Sequence, residues 1–146
     1  MSNDIRGNRF LSGTWAEIWY NGFKIVEVSK ISVKTTLNRE KVQIGLDEDS
    51  KVVGWSGEGT LSMIKAFTRF EDVRQEVARG HDPRGTIIAK LKDPDATGGQ
   101  TERYQIGNVA LSEFGFEYEK GAVVKQEVPF SFTPSDMINL DAVQEV

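Results

Sequence analysis

The run KISVKTTL, residues 30–37, alternates strictly: Ile31, Val33, Thr35 and Leu37 fall on one side of an extended chain, and Ser32, Lys34, Thr36 and Asn38 fall on the other. A period of two describes a β-strand with one packed face and one wet face. The stretch before it, AEIWYNGFKIVEV, carries Asn21-Gly22 between two β-rich segments, the pair that a tight hairpin turn prefers. TIIAKLK, TERYQIGNVAL, EFGFEYEK and AVVKQEVPFSF read as further strands. In the last, Val124, Val128, Phe130 and Phe132 share a face, and Pro129 on the other face predicts an edge or a bulge.

One helix interrupts the strands. TRFEDVRQEVARG sets Thr68 as N-cap with Glu71 three residues on, which is capping-box spacing. Phe70, Val73 and Val77 form an apolar stripe, and Gly80 stands where a C′ glycine belongs. The expected class is therefore mainly β with one flanking α-helix. Residues 1–146 read as a single domain with an N-terminal arm (1–14), a protruding charged loop or hairpin (39–55) and a C-terminal tail (135–146), either a short helix or disordered.

Composition narrows the function. Cysteine is absent, which removes disulfides, thiolate metal sites and cysteine nucleophiles and fits an intracellular setting. The formal charge of −4 argues against a duplex nucleic-acid binder, which needs a basic surface. No apolar run nears the ~20 residues of a membrane span, and MSNDIRGNRFLSG lacks the apolar core of a signal peptide.

Gly54, Gly57 and Gly59 in GWSGEGTL lack the lysine and the following helix of a phosphate-binding loop. They read instead as places where backbone and side chains approach closely. DEDSK, counted from Asp47, puts Lys51 fifth and Val52 sixth, where a calcium loop needs an oxygen ligand and a glycine. His81 is the sole histidine, and no serine sits in G-x-S-x-G. No catalytic, cofactor or metal site emerges, and the reading is non-enzymatic. Trp15, Trp19, Tyr20 and Trp55 flank the hairpin and the glycines. Core packing accounts for some of them, whereas Trp15 and Trp55 adjoin loop-like segments and suit a partner surface.

The ordered set of hairpin, charged excursion, GWSGEGTL, amphipathic helix, GHDPRG turn, TERY strand and closing KQEVPFSF resembles the tail tube proteins of contractile phage tails and R-type bacteriocins, the XkdM-like group, over residues 14–134. The resemblance implies a β-sandwich or half-barrel that closes into a ring-shaped barrel on oligomerisation. Hexameric rings would stack into the inner tube of a virion tail or bacteriocin particle, assembled in the host cytoplasm. The implied partners are the chain itself, a sheath protein, baseplate or initiator and tape-measure proteins, and DNA passing through the lumen without specific binding, with no membrane anchor. An acidic wall would suit such a conduit, because it would not grip phosphates.

On this reading Ser32, Lys34, Thr36, Asn38, Thr60 and Ser62 face the lumen. Trp15 and the excursion residues Arg39, Glu40, Lys41, Gln43, Asp47, Glu48, Asp49, Lys51 and Trp55 contact neighbouring subunits or rings. Alternatives are a type VI secretion tube protein and a small β-barrel that binds an apolar ligand between its glycines and tryptophans.

Overall fold

The structure, a computed structural model, describes residues 6–145; residues 1–5 of the expected N-terminal arm and Val146 lie outside the described residues. The strands are β1 (Ala16–Tyr20), β2 (Phe23–Lys24), β3 (Val28–Ile44), β4 (Asp47–Ile64), β5 (Gly85–Lys92), β6 (Thr101–Leu111), β7 (Lys125–Phe132) and β8 (Met137–Asp141), with one helix, α1 (Glu71–Ala78). All pair antiparallel in the order β2-β1-β5-β6-β7-β4-β3, and β8 pairs with β6. The sheet does not close on itself, as the half-barrel expectation requires of the single chain.

β6 joins the two halves. Its first part lies between β5 and β8, and its last two residues, Ala110 and Leu111, pair with Ser131 and Phe130 of β7. The core fills the space between these halves. Ile18, Ile87, Ile106 and Val109 come from one side, and Leu61, Met63, Val128, Phe130 and Phe132 from the other. The β1–β2 turn is as expected: Asn21 and Gly22 have φ of 50° and 84°, the paired positive values that a two-residue hairpin turn needs.

Four sequence expectations fail, each because packing or strand pairing decides otherwise. Thr68 does not cap the helix. The residue before the helix is Phe70 in a left-handed conformation (φ 64°), and no side chain caps the helix there. That backbone buries the Phe70 ring edge-on against Tyr20, 5.1 Å between centroids, so packing overrides the capping box. The stripe is also shorter than predicted, with Val73 buried and Val77 exposed. Gly80 (φ 86°) does terminate the helix.

EFGFEYEK forms no strand. The tail beyond Pro134 is neither a helix of normal length nor without structure: after one 3-10 turn it becomes β8, filling the side of β6 that β7 leaves open. Pro129 sits where β6 parts from β7, so β7 is flanked on both sides only near its end.

Candidate assembly surfaces

Strands β3 and β4, of 17 and 18 residues, form a single hairpin whose tight turn is Gly45-Leu46, with Gly45 at φ 60°. Strands this long exceed what the body of the protein can cover, so the hairpin has a packed root and a free arm.

At the root, alternation sorts the side chains as the sequence implies. Ser32, Lys34 and Thr36 pair with Thr60, Glu58 and Ser56, and Lys30 pairs with Ser62. Glu127, Pro129 and Ser131 of β7 continue the same face. The six expected lumen residues, Ser32, Lys34, Thr36, Asn38, Thr60 and Ser62, therefore share one polar surface. Lys34 and Glu58 approach to 3.0 Å across it, an exposed pair contributing about 0–1 kcal/mol. Lys30, Lys34 and Lys125 meet only Glu58 and Glu127 there. The chain's negative charge is thus not concentrated on this face.

The opposite face answers the glycine question. A β-carbon on Gly57 would stand 2.5 Å from the Phe132 ring, and one on Gly59 would stand 2.4 Å from both Phe130 Cζ and the Ser32 carbonyl oxygen. The glycines let two phenylalanine rings lie flat against the β4 backbone.

Beyond Asn38 and Gly54 the pairing register shifts by one residue, with Val53 the extra residue of a bulge. From there the arm runs free for about 20 Å. Every residue from 36 to 53 is exposed, Leu46 at its tip fully so (103%). Arg39, Glu40, Lys41, Gln43, Asp47, Glu48, Asp49 and Lys51 all lie on this arm, with Trp55 (53% exposed) at its base. Lys41 and Glu48 pair at 3.2 Å, and the Gln43 side-chain amide donates to the Gly45 carbonyl at 2.9 Å.

Trp15 is not on the arm. It ends a 3-10 turn ahead of β1 and, half exposed, lines a cleft of about 280 Å³ with Glu17, Val26 and Val28 near the foot of β3. Sequence reading concentrated on the arm's charges and missed its exposed aliphatics: Val42, Ile44, Leu46, Val52 and Val53. It also missed the exposed Phe114, Phe116 and Tyr118 between β6 and β7. Their signal was visible as apolar residues interleaved with charges, in a segment read as a protruding loop or hairpin and in another read as a strand.

The foot of β3 is pinned. Glu27, whose side chain is 5% exposed, accepts from Arg69 Nε at 2.6 Å and Nη2 at 3.2 Å, and Arg69 lies 5.2 Å from the Phe67 ring centroid. Burial alone would push the Glu27 carboxyl up. The Arg69 hydrogen bonds, its own backbone N–H and the guanidinium charge together hold it below the ordinary 4.5. The hairpin is therefore fixed to the segment leading into α1.

Comparison with known proteins places this geometry. A family model described as phage tail tube protein matches residues 3–139. No curated protein matches the chain. Among solved structures, it resembles a chain of the sheath/tube terminator of the PVC extracellular contractile injection system in its extended state, with TM-score 0.74 and 10% identity, covering 94% of this chain and 99% of that one. A chain of the PVC sheath–tube complex gives TM-score 0.68 at 11% identity, covering 90% and 92%. A chain of the native gene transfer agent virion gives 0.59 at 11%, covering 88% and 97%. At these identities the likeness speaks for the fold.

Proposed function

The chain belongs to the phage tail tube protein family, and we propose that its copies close into hexameric rings that stack into the inner tube of a contractile phage tail or R-type bacteriocin. The family is one of structural tube components rather than enzymes. The observation that carries the finer reading is the β3–β4 hairpin: a root packed on one face and polar on the other, open along β3, continued by an arm that buries nothing in its own subunit.

Residues 1–146 act as one tube domain on this reading. Ser32, Lys34, Thr36, Asn38, Thr60 and Ser62 face the lumen, where the near-balanced charge would neither bind nor strongly repel passing DNA. The arm, with Arg39, Glu40, Lys41, Gln43, Asp47, Glu48, Asp49, Lys51 and Trp55, reaches a neighbouring subunit or ring, and Trp15 contacts one at the foot of β3. Charges set orientation, and the exposed aliphatics supply the buried area. Head-to-tail stacking is heterologous and propagates into a filament. The likeness to chains of sheath–tube and terminator assemblies supports a sheath as partner; on the same reading a baseplate or initiator and a tape-measure protein are further partners, and the host cytoplasm is the place of assembly.

The test is negative-stain electron microscopy of the full chain across a concentration series. Hollow filaments or six-fold rings are the expected result. A chain that stays monomeric at every concentration, including with pre-formed tube ends added as seeds, counts against the proposal.

A further inference from the structure

Residues 113–119 have a strand's sequence and no strand's partner. Phe114, Phe116 and Tyr118 alternate with Glu113, Gly115, Glu117 and Glu119. The Phe116 and Tyr118 rings lie 5.0 Å apart, as side chains two apart on one face do, with Phe116 72% exposed. The last ladder bond of the preceding strand runs from Ser112 N–H to the Pro129 carbonyl at 2.8 Å. Among the described residues no backbone hydrogen bond reaches 113–118. A cleft of about 390 Å³ separates 113–117 from 125–127 of β7.

The departure from β7 has a physical cause. Leu111 shares the packed face with Phe130. Continuing β6 in that register would turn Glu113 and Glu117 to the packed side and the aromatics to the wet side. A slip of one residue reverses every side chain, so the segment cannot serve as an in-register extension of β6 and is left free.

We infer that residues 113–119 become a strand on assembly by pairing with the outer edge of β3 in a second copy of this chain, an inference that rests on the tube reading above. β3 ends the sheet and carries no partner on its far side among the described residues. Its root offers matching alternation, with Ile31, Val33 and Thr35 on the half-buried face and Lys30 and Lys34 on the polar one. Pairing therefore sets aromatics beside aliphatics and glutamates beside lysines, both favourable cross-strand combinations.

Direction agrees as well. β7 runs parallel to β3, since each is antiparallel to β4, and residues 113–119 follow β6 in running against β7. A copy rotated about an axis along the strands thus presents β3 antiparallel to this segment. Without the segment, β7 would have to meet the neighbour's β3 in parallel. The pairing covers the edge of β3 and the exposed aromatics together.

The test uses two full-length variants with charges reversed at exposed positions. One carries Glu113→Lys, Glu117→Lys and Glu119→Lys; the other carries Lys30→Glu and Lys34→Glu, and circular dichroism confirms that both fold. Each variant alone opposes like charges at every junction, so its assembly concentration rises roughly tenfold or more, read by sedimentation. Mixed in equal amounts they alternate, each junction regains opposite charges, and assembly returns towards the wild-type concentration. Misfolding would not be repaired by mixing. If the wild type builds tubes and each variant does so equally well, or mixing restores nothing, the pairing is overturned while the tube reading stands. If the wild type builds neither rings nor tubes, the tube reading fails. Sedimentation of the mixture then decides the pairing alone: a complex absent from either variant supports it, and two independent monomers overturn it.

Discussion

Glu27 and Arg69 face each other through two roughly parallel hydrogen bonds, Nε to Oε1 at 2.6 Å and Nη2 to Oε2 at 3.2 Å, with the carboxylate 5% and the guanidinium 26% exposed. The Glu27 carbonyl also accepts from the Ile64 N–H at 3.1 Å. One residue thereby ties the foot of β3 to the end of β4 and to the segment entering α1. Removing Arg69 leaves a buried carboxylate without its counter-charge. Arg69→Met should cost about 3 kcal/mol in urea unfolding, whereas adding Glu27→Gln to it should recover part of that loss. A double variant as unstable as the sum of the two singles would show that the residues do not act as a pair.

The same pair predicts an acid response. The folded-state pKa of Glu27 lies below its ordinary 4.5, so the pair contributes fully above that value. The contribution is lost as pH falls through the folded pKa. Wild type should therefore lose stability relative to Glu27→Gln once the pH falls below about 4.5, the gap between their urea midpoints narrowing with further acid. A gap that stays constant over that range would contradict the assigned sign.

What could be read from the chain beforehand follows from what each signal depends on. Asn21-Gly22 and the alternation of Ile31, Val33 and Thr35 are local, and the structure keeps them. Thr68 and Glu71 also look local, yet the helix start was decided by the Phe70 ring finding Tyr20 50 residues upstream in the chain, a contact no window contains. The segment 113–119 was legible as a strand by its alternation but finds no partner strand among the described residues. β8 was missed because Met137 and Ile138 are adjacent and break a strict alternation, and only the open side of β6 makes Met137–Asp141 extend. The polar residues of β3 and β4 were legible by period, whereas the 3-10 turn that carries Trp15 to the foot of β3 was not.

Gly59 offers a packing test. Its missing β-carbon would stand 2.4 Å from Phe130 Cζ and equally close to the Ser32 carbonyl, which is backbone and cannot swing aside. Gly59→Ala should destabilise the chain by about 1–3 kcal/mol. Adding Phe130→Leu should relieve the ring contact but not the carbonyl contact, so thermal unfolding of the double variant should show no full recovery. A Gly59→Ala variant as stable as wild type would mean the hairpin root is loosely packed.

The arm can be removed where the structure itself ends it. Asn38 and Gly54 sit directly opposite, just inside the bulge, so residues 39–53 can be replaced by a two-residue Asn-Gly turn that closes the shortened hairpin. Deleting only residues 46–52 would leave Arg39–Ile44 facing no partner strand, a new open edge. The full truncation removes side chains that contact nothing in the core, so the unfolding midpoint should stay within about 0.5–1 kcal/mol of wild type. Its effect should fall on assembly. Five exposed aliphatics, Val42, Ile44, Leu46, Val52 and Val53, leave together with the charges that orient them. If the arm bridges subunits or rings, the truncated chain stays folded and forms no tubes in negative stain or sedimentation. Tubes of normal length from the truncated chain would remove the arm from the interface and leave the root edge and residues 113–119 to hold the ring.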